Sequence, residues 1–218
     1  MTGLDDIKAR LRAEAARGEM PIDTPVYTAA GLPPTEPLLL GSGSLTAPIG
    51  IMGRDPGRHE VLRREPFIGA GGRLIRDGLH AAHHGTPAPD EAAAIAIGRQ
   101  YFWCNTVPYK PTGNKAWSMK IKRRFAPIIA EIIVDRWTGH DMLTCGRVAL
   151  DWFRIAEPSL APTLKAFWQR DDCFTSTLEI TFQGKRLRLH PLPHPSPLNA
   201  RWHKRFPDIL AARLRALR

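Results

Sequence analysis

The hydrophobic and polar positions of the chain fall into stretches with two different periods. Apolar residues recur at helical spacing in residues 4–17, 73–83 and 119–136, which predicts amphipathic helices there. Short apolar runs at residues 49–52 and 100–106 are typical of buried strands instead. Helix and strand patterns therefore alternate along the first two thirds of the chain.

The last third of the chain predicts a further strand, a hairpin and a basic helix. Residues 140–146 have the pattern of a third parallel strand, and residues 175–182 alternate as a strand does. Gly184 predicts a turn into a second hairpin strand at 185–191, which ends the sheet. Residues 200–218 form a basic helical pattern. We predict an α/β fold: a three-layer α/β/α sandwich around a central, mostly parallel, four-stranded sheet.

Length and composition predict one domain over residues 1–218, in which residues 1–46 form an N-terminal helix and a wrapping arm. Within this part, residues 20–44 are rich in Pro, Thr and Gly, which favours irregular structure. Hydrophobic residues make up 43% of the chain, and no apolar run approaches the roughly 20 residues of a membrane span. Because the N-terminus carries acidic residues and no apolar signal core, we expect a cytoplasmic protein, without membrane contact, that is a monomer.

The charge balance favours a polyanionic partner. The chain holds 31 Lys and Arg residues against 21 Asp and Glu, a formal net charge of +10. Cations that neutralise phosphates release counterions, so nucleic acid is the natural partner of such a chain, although solubility alone could also explain the excess charge. Three cysteines, Cys104, Cys145 and Cys173, lie far apart without CxxC spacing, which predicts buried, reduced thiols and neither a disulfide framework nor a zinc site.

Candidate chemistry is concentrated in residues 47–79, around which the rest of the chain is organised. A predicted strand ends in the turn GRDPG, which carries Asp55, and residues 58–65 follow as a charged loop. The loop PFIGAGG then leads into a helix. Ligands of open α/β sheets bind just beyond the carboxyl ends of the strands. Backbone N–H groups at a helix start are suited to bind phosphate.

Two later segments also carry polar side chains at the end of a predicted strand, whereas a cluster of histidines does not. The strand QYFWCNT ends in Asn105 before the loop PTGNK, and a proline-rich loop, LPHPSPLN, carries His194 after the last predicted strand. His80 and His84 are four residues apart, but no Glu accompanies them in the HExxH pattern of zinc proteases. We therefore predict no metal site.

Taken together, these segments resemble the uracil-DNA glycosylase superfamily. GRDPG resembles the GQDPY motif of its first family, PFIGAGG resembles the PFVGxAG of its iron–sulfur branch, and HPSPLN matches the motif HPSPLS except at Asn199. Gly57 replaces the tyrosine that crowds the thymine methyl group in the first family, and Arg54 replaces a glutamate of the iron–sulfur branch. Because that branch's N-terminal cysteine pair is missing and Phe125 stands near a further cluster cysteine, we predict no iron–sulfur cluster and no other cofactor.

The resemblance implies roles for individual residues. Asp55 corresponds to the catalytic aspartate, an anion that orients water and stabilises a cationic sugar, and His194 to the second catalytic group, which donates to the uracil O2. Phe67 would stack on the base, and Asn105 would bind its O4 and N3–H edge. The remaining substrate-binding positions are Gly53, Arg54 and Gly57. The implied DNA-binding positions are Gly69, Gly71, Lys115, Ser196, Leu198 and Arg201, of which Leu198 would wedge into the duplex.

The function predicted from these residues is a monofunctional uracil-DNA glycosylase of base excision repair. Its partner would be uracil-containing DNA, single- or double-stranded. Two alternatives stay open: a DNA-binding member with little turnover that holds uracil or abasic DNA tightly, and a glycosylase for another deaminated or mismatched base. A general nucleotide-binding Rossmann enzyme is less favoured, because GxGxxG is missing after the first strand.

Overall fold

The computed structural model describes residues 4–18, 20–38, 43–197 and 199–217. The helices of these residues are α1 (Asp5–Ala16), α2 (Thr24–Ala29), α3 (Arg58–Arg63), α4 (Ala70–His84), α5 (Glu91–Gly98), α6 (Met119–Glu131), α7 (Arg147–Ala156), α8 (Ala161–Trp168), α9 (Ala200–His203) and α10 (Phe206–Ala216). The strands are β1 (Ile49–Gly53), β2 (Phe102–Asn105), β3 (Asp141–Cys145), β4 (Leu178–Phe182) and β5 (Lys185–Leu192).

The described strands form a single sheet in the order β2-β1-β3-β5-β4. The first four strands of this order are mutually parallel, and β4 is antiparallel to β5 at the edge. The predicted α/β class with a mostly parallel sheet is confirmed. The sheet has five strands rather than four because β4 pairs with β5 from residue 178 to residue 182 and so extends the sheet at its edge.

Helices cover both faces of the sheet, as the alternation of side chains along β1 shows. Ile51 belongs to an apolar cluster with Ile75 and Leu79 of α4 and with residues of α10. The next residue, Met52, points into the opposite cluster, which includes Phe125 of α6. Successive strand residues face opposite sides, so the sheet separates two cores. Within the described residues, no helix has the length and apolar character needed to cross a membrane.

Three segments differ locally from the prediction. Residues 58–63, expected as a charged loop, form α3. Because this short helix buries Val61 alone, it shows no apolar periodicity in the sequence. The arm contains the short helix α2, in which a proline stands in the first turn and Tyr27 is buried. The C-terminal helix is divided into α9 and α10, with Pro207 in the first turn of α10, since a proline is tolerated there but not in a helix interior.

The N-terminal arm is fixed against the loop that follows β2. Lys110 is buried, and its Nζ lies 2.7 Å from Oδ2 of Asp23. Ile22 forms an isolated bridge with Pro111, and the Thr112 N–H donates to the carbonyl of Pro21. These contacts hold the start of the loop 111–115 at the carboxyl end of β2.

Candidate active site

The parallel sheet brings three of the segments singled out in the sequence to one edge. Gly53, the last residue of β1, is the register partner of Asn105, the last residue of β2. Cys145 at the end of β3 is likewise paired with Leu192 at the end of β5. The segments that follow these strand ends enclose a cavity of about 550 Å³, which is lined by residues 53–60, 67, 69–72, 105, 111, 145 and 194–197.

Asp55 is the most buried acidic group of this cavity. Its side chain is 1% exposed. Nε of Arg54 lies 2.8 Å from Oδ2 of Asp55, and the side chains of Arg54 and Thr106 both act on this carboxylate as donors, although neither contact is well aligned. A buried carboxylate keeps more acceptor capacity than these two contacts use, so a water molecule or a substrate could also bind it.

Burial has a large effect on the protonation of Asp55. Desolvation raises the pKa of this carboxyl to about 7, and the positive charges of Arg54 and Lys122 oppose that rise. Lys122 is itself buried on α6, and desolvation lowers its pKa while the charge of Asp55 raises it. The two groups therefore stabilise each other's ionised forms in a region of low polarity.

The orientation of His194 is set by its own loop. The backbone N–H of Ser196 donates to Nδ1 of His194 at 3.2 Å, which assigns the proton of the neutral ring to Nε2. Nδ2 of Asn199 donates to the carbonyl oxygen of His194 at 3.1 Å and holds the loop from the other side. The imidazole is exposed at the cavity, and the walls of the cavity shield it from part of the solvent. Desolvation, followed by the charge of Arg54, lowers the pKa of His194 below its ordinary value.

A glycine is required behind His194. Gly146 has φ +85°, and a Cβ atom there would lie 3.0 Å from Cβ of His194. Its N–H donates to the carbonyl of Leu192 at 2.9 Å, which ties the end of β3 to the start of the histidine loop. A side chain at position 146 would therefore be strained and would press on the imidazole.

Phe67 lies beside Gly53 in an unusual backbone conformation. Its φ is 52°, in the left-handed region that residues other than glycine seldom adopt. A Cβ atom on Gly53 would come within 2.5 Å of Cζ of Phe67, and the ring also packs on Trp103 with centroids 4.8 Å apart. Strained residues are often found at functional sites. Here the strain keeps an aromatic ring in the cavity wall, where it can offer a face to a ligand.

A buried arginine holds this conformation in place. Arg76 of α4 has no exposed side-chain surface, and its guanidinium donates to the carbonyl oxygens of Phe67 at 3.0 Å and Pro66 at 2.5 Å. It also lies 2.7 Å from Oε1 of Glu65 and packs over the ring of Trp103. Arg76 therefore connects the loop that carries Phe67 to the helix behind it, and sequence reasoning missed it.

Asn105 completes the set of predicted pocket residues. It is 5% exposed at the end of β2. The following residue, Thr106, donates its N–H to the carbonyl oxygens of Gly53 and Arg54 at 3.0 Å each, and its hydroxyl donates to Arg54 as well. These bonds fix the turn that carries Asp55 against the strand end that carries Asn105.

Most of the residues predicted from the sequence meet in this cavity. Those that line it are Gly53, Arg54, Asp55, Gly57, Phe67, Gly69, Gly71, Asn105, His194 and Ser196. Lys115 and Arg201 do not line it; both are exposed, and the guanidinium of Arg201 stacks over Trp202 instead. Leu198 lies outside the described residues.

Sequence reasoning missed further residues for which a signal existed. Lys122 and Arg76 both occupy the apolar stripes of their helices: Lys122 lies between Ile121 and Phe125, and Arg76 between Ile75 and Leu79. A charged residue inside an apolar stripe indicates a buried charge with a partner. Glu60 had no such signal, because the segment around it was expected to be a loop.

The thiols and histidines of the described residues offer no metal centre. No group of three or more His, Cys, Asp or Glu side chains in these residues is arranged to hold a metal ion. The three cysteines are free and buried. Burial raises the pKa of the Cys145 thiol, which lines the cavity, to about 12. This thiol is therefore neutral at physiological pH and unsuited as a nucleophile.

Fold and site together define an α/β protein with a ligand cavity at the carboxyl edge of a parallel sheet, bordered by one carboxylate and one imidazole. The sequence model of the Uracil DNA glycosylase superfamily matches residues 40–218. The chain therefore belongs to the uracil-DNA glycosylase superfamily, which indicates a glycosylase of DNA repair, a hydrolase that acts on DNA. Comparison with curated proteins finds no match.

Proposed function

We propose that this chain is a monofunctional uracil-DNA glycosylase, which hydrolyses the N-glycosidic bond of uracil in DNA and leaves an abasic site. One observation carries the proposal. A buried carboxylate, Asp55, and an imidazole protonated on Nε2, His194, border the same cavity as Phe67 and Asn105.

Asp55 is suited to stabilise the sugar. As the bond between C1′ and N1 of the nucleotide breaks, its electron pair leaves with the base and positive charge develops on the sugar. An ionised carboxylate in a water-poor cavity stabilises that charge strongly, because low polarity strengthens the attraction. The same carboxylate orients the water molecule that adds to C1′, and its exposure of 1% means that few other water molecules compete.

His194 is suited to stabilise the leaving base. Negative charge develops on O2 of uracil as the bond breaks, and a preorganised donor near that oxygen lowers the barrier. The Ser196 N–H occupies Nδ1, so the neutral ring presents its N–H at Nε2. Because its pKa is lowered, His194 stays neutral in the pH range where Asp55 is ionised.

Phe67 and Asn105 are suited to select the base. A flipped base stacked on an aromatic ring gains about 1–3 kcal/mol, which helps to offset the few kcal/mol that unstacking from the duplex costs. The side-chain amide of Asn105 offers both a donor for O4 and an acceptor for N3–H. A pyrimidine with that edge is uracil or thymine.

In this chain, a group other than the tyrosine of the first family must exclude thymine. At the tyrosine's position is Gly57, where a Cβ atom would lie 2.6 Å from Oε2 of Glu60. Oε1 of the same carboxylate accepts the N–H of Gly69 at 2.9 Å, so Glu60 is held as a polar wall of the cavity. An apolar methyl group against that wall would desolvate the carboxylate, which is unfavourable.

A second candidate is a DNA-binding member of the superfamily with low turnover. The observation that favours it is the 2.8 Å approach of Nε of Arg54 to Oδ2 of Asp55. A cation this close reduces the negative charge that Asp55 offers to the sugar and competes with water for the oxygen. Tight retention of abasic DNA with negligible release of uracil would favour this candidate over the first.

The test is a panel of oligonucleotides, single- and double-stranded, that contain uracil, thymine, hypoxanthine or an abasic site. With stoichiometric enzyme, we expect the uracil strand to become alkali-labile and the thymine and hypoxanthine strands to stay intact. The abasic strand, which alkali cleaves without enzyme, serves to measure binding. Asp55→Asn and His194→Ala should each slow this reaction by at least about a hundredfold, the scale of general acid–base and oxyanion contributions. Absence of abasic product from the wild-type chain at stoichiometric amounts would rule out the first candidate.

A further inference from the structure

Arg54 stands directly between the end of β1 and Asp55 in the chain, and its main chain is fixed there. Its carbonyl oxygen accepts the N–H of Thr106 at 3.0 Å and also the hydroxyl of that residue. The side chain is 32% exposed and lines the cavity together with Asp55 and His194. One cation therefore lies in the same cavity as the two groups to which we assign the chemistry.

Arg54 forms a close ion pair with the buried carboxylate. Its Nε lies 2.8 Å from Oδ2 of Asp55, whose side chain is 1% exposed. A buried carboxylate without a counter-charge is strongly unfavourable. Lys122 of α6 also acts on this carboxylate, but desolvation lowers the pKa of its ammonium group. Because a guanidinium in a protein is not deprotonated, Arg54 supplies Asp55 with a permanent counter-charge.

The same cation acts on the imidazole. Desolvation lowers the pKa of His194, and the charge of Arg54 lowers it further. A guanidinium in the cavity disfavours a second positive charge on the ring, because like charges repel each other. Arg54 therefore favours the deprotonated form of both groups, an ionised carboxylate and a neutral imidazole.

Other charged or titratable side chains surround the two groups. Those that line the cavity are Arg58, His59, Glu60 and Cys145, and those that act on Lys122 from α7 are Asp151 and Arg154. Burial raises the pKa of the Cys145 thiol to about 12, so this thiol carries no charge. One carboxylate oxygen of Glu60 accepts a backbone N–H. Within the described residues, Arg54 is the charge that acts on both Asp55 and His194.

We propose that Arg54 is a positioning residue of the glycosylase reaction, which holds Asp55 ionised and His194 neutral at the same time. The inference rests on the proposed function, because it assigns Arg54 to the reaction of that site. The carboxylate needs its charge to stabilise the sugar, and the neutral ring donates to the leaving base from Nε2. If Arg54 only competed with water for the carboxylate, its removal would increase turnover instead.

The experiment compares variants that differ in which charge is lost. Arg54→Gln removes the charge from the cavity, Arg54→Lys keeps it, and Lys122→Met removes the cation that acts on Asp55 from α6. Arg186→Gln changes an exposed arginine near the amino end of β5 and is the control of equal net charge. Uracil release between about pH 5 and 9 gives the profile of kcat/KM. NMR titration of the imidazole of His194, whose signal is identified with His194→Ala, needs no activity.

The expected result separates Arg54 from Lys122. Loss of a cation that favours deprotonation raises the pKa of each group on which it acts. Arg54→Gln should therefore lower kcat/KM about tenfold near pH 6 and approach the wild-type value near pH 9, and Arg54→Lys should restore the profile. The titration midpoint of His194 should rise in Arg54→Gln but not in Lys122→Met or Arg186→Gln.

Three results would overturn the inference. They are a loss of kcat/KM by the same factor at every pH in Arg54→Gln, a gain in kcat/KM, and a midpoint of His194 that this variant leaves unchanged. If the wild-type chain releases no uracil while Arg54→Gln still raises the midpoint of His194, the electrostatic action of Arg54 stands and the proposed function fails.

Discussion

The burial of Asp55 predicts that its carboxylate, to which we assign a catalytic role, destabilises the folded chain at neutral and higher pH. The perturbation that isolates this effect is Asp55→Asn, which keeps the shape of the side chain and removes its ionisation. The carboxyl pKa rises from its ordinary value of 3.8 to about 7 on folding, chiefly through desolvation. The folded state therefore retains a proton that the unfolded chain releases between pH 4 and 7.

The sign and size of the effect follow from this linkage. Stability falls with rising pH wherever the folded state binds more protons than the unfolded state. One pKa unit corresponds to about 1.36 kcal/mol, so ionised Asp55 costs the fold about 4 kcal/mol above pH 7. Asparagine cannot ionise. The variant should equal the wild type near pH 4 and exceed it in stability by several kcal/mol at pH 8.

Urea unfolding at pH 4.5, 6 and 8 measures this difference. A gain of this size at pH 8 corresponds to a midpoint shift of about 1–2 M urea for ordinary slopes. Asp171→Asn is the charge-matched control, since that carboxylate is exposed. If the stability difference between Asp55→Asn and wild type were the same at all three pH values, Asp55 would not be ionised at a cost, and the description of its surroundings would be wrong.

Three further predictions concern the groups around the cavity. Lys122→Met removes a charge that lowers the pKa of Asp55. The rising limb of the pH profile of kcat/KM should therefore move about one pH unit higher. A limb that does not move would show that Lys122 does not act on Asp55. Arg76→Met leaves buried carbonyls and a carboxylate without their donor. The free energy of unfolding, measured in urea, should fall by about 3–5 kcal/mol. A decrease below about 1 kcal/mol would contradict the role of Arg76 in holding the Phe67 loop. Gly53→Ala places a Cβ atom 2.5 Å from Cζ of Phe67, so the ring must move. Because the base then loses its stacking on Phe67, kcat/KM for uracil DNA should fall about tenfold or more. Thermal melting of the variant is the control for folding.

The sequence predicted which residues meet at one edge of the sheet better than it predicted local helix boundaries. Asn105 ends one strand, and Asp55 and His194 follow the ends of two others. Parallel pairing brings the carboxyl ends of strands to the same edge. Their convergence therefore follows from topology and needs no detail of side-chain packing. The helix α3 was missed because its apolar pattern is too short to show a period, and tertiary packing of Val61 decides its conformation.

Other properties of the site depend on distances that a sequence does not contain. The pKa of Asp55 reflects how much water its neighbours exclude, and the charge of Lys122 acts on it from α6, which is distant in the sequence. The positive φ of Phe67 depends on Arg76, which bonds the carbonyl of Phe67 from α4. The sequence does indicate that Lys122 and Arg76 are buried, because each is a charged residue on the apolar stripe of a helix.

We propose above all that Asp55, Phe67, Asn105 and His194 surround one extruded uracil. The most direct measurement is a crystal structure of the Asp55→Asn variant bound to a uracil-containing oligonucleotide. We expect the base to stack on Phe67, with its O4 and N3–H edge at Asn105 and its O2 within hydrogen-bond distance of Nε2 of His194. Uracil that remains paired in the duplex, or that occupies another hollow of the protein, would contradict it.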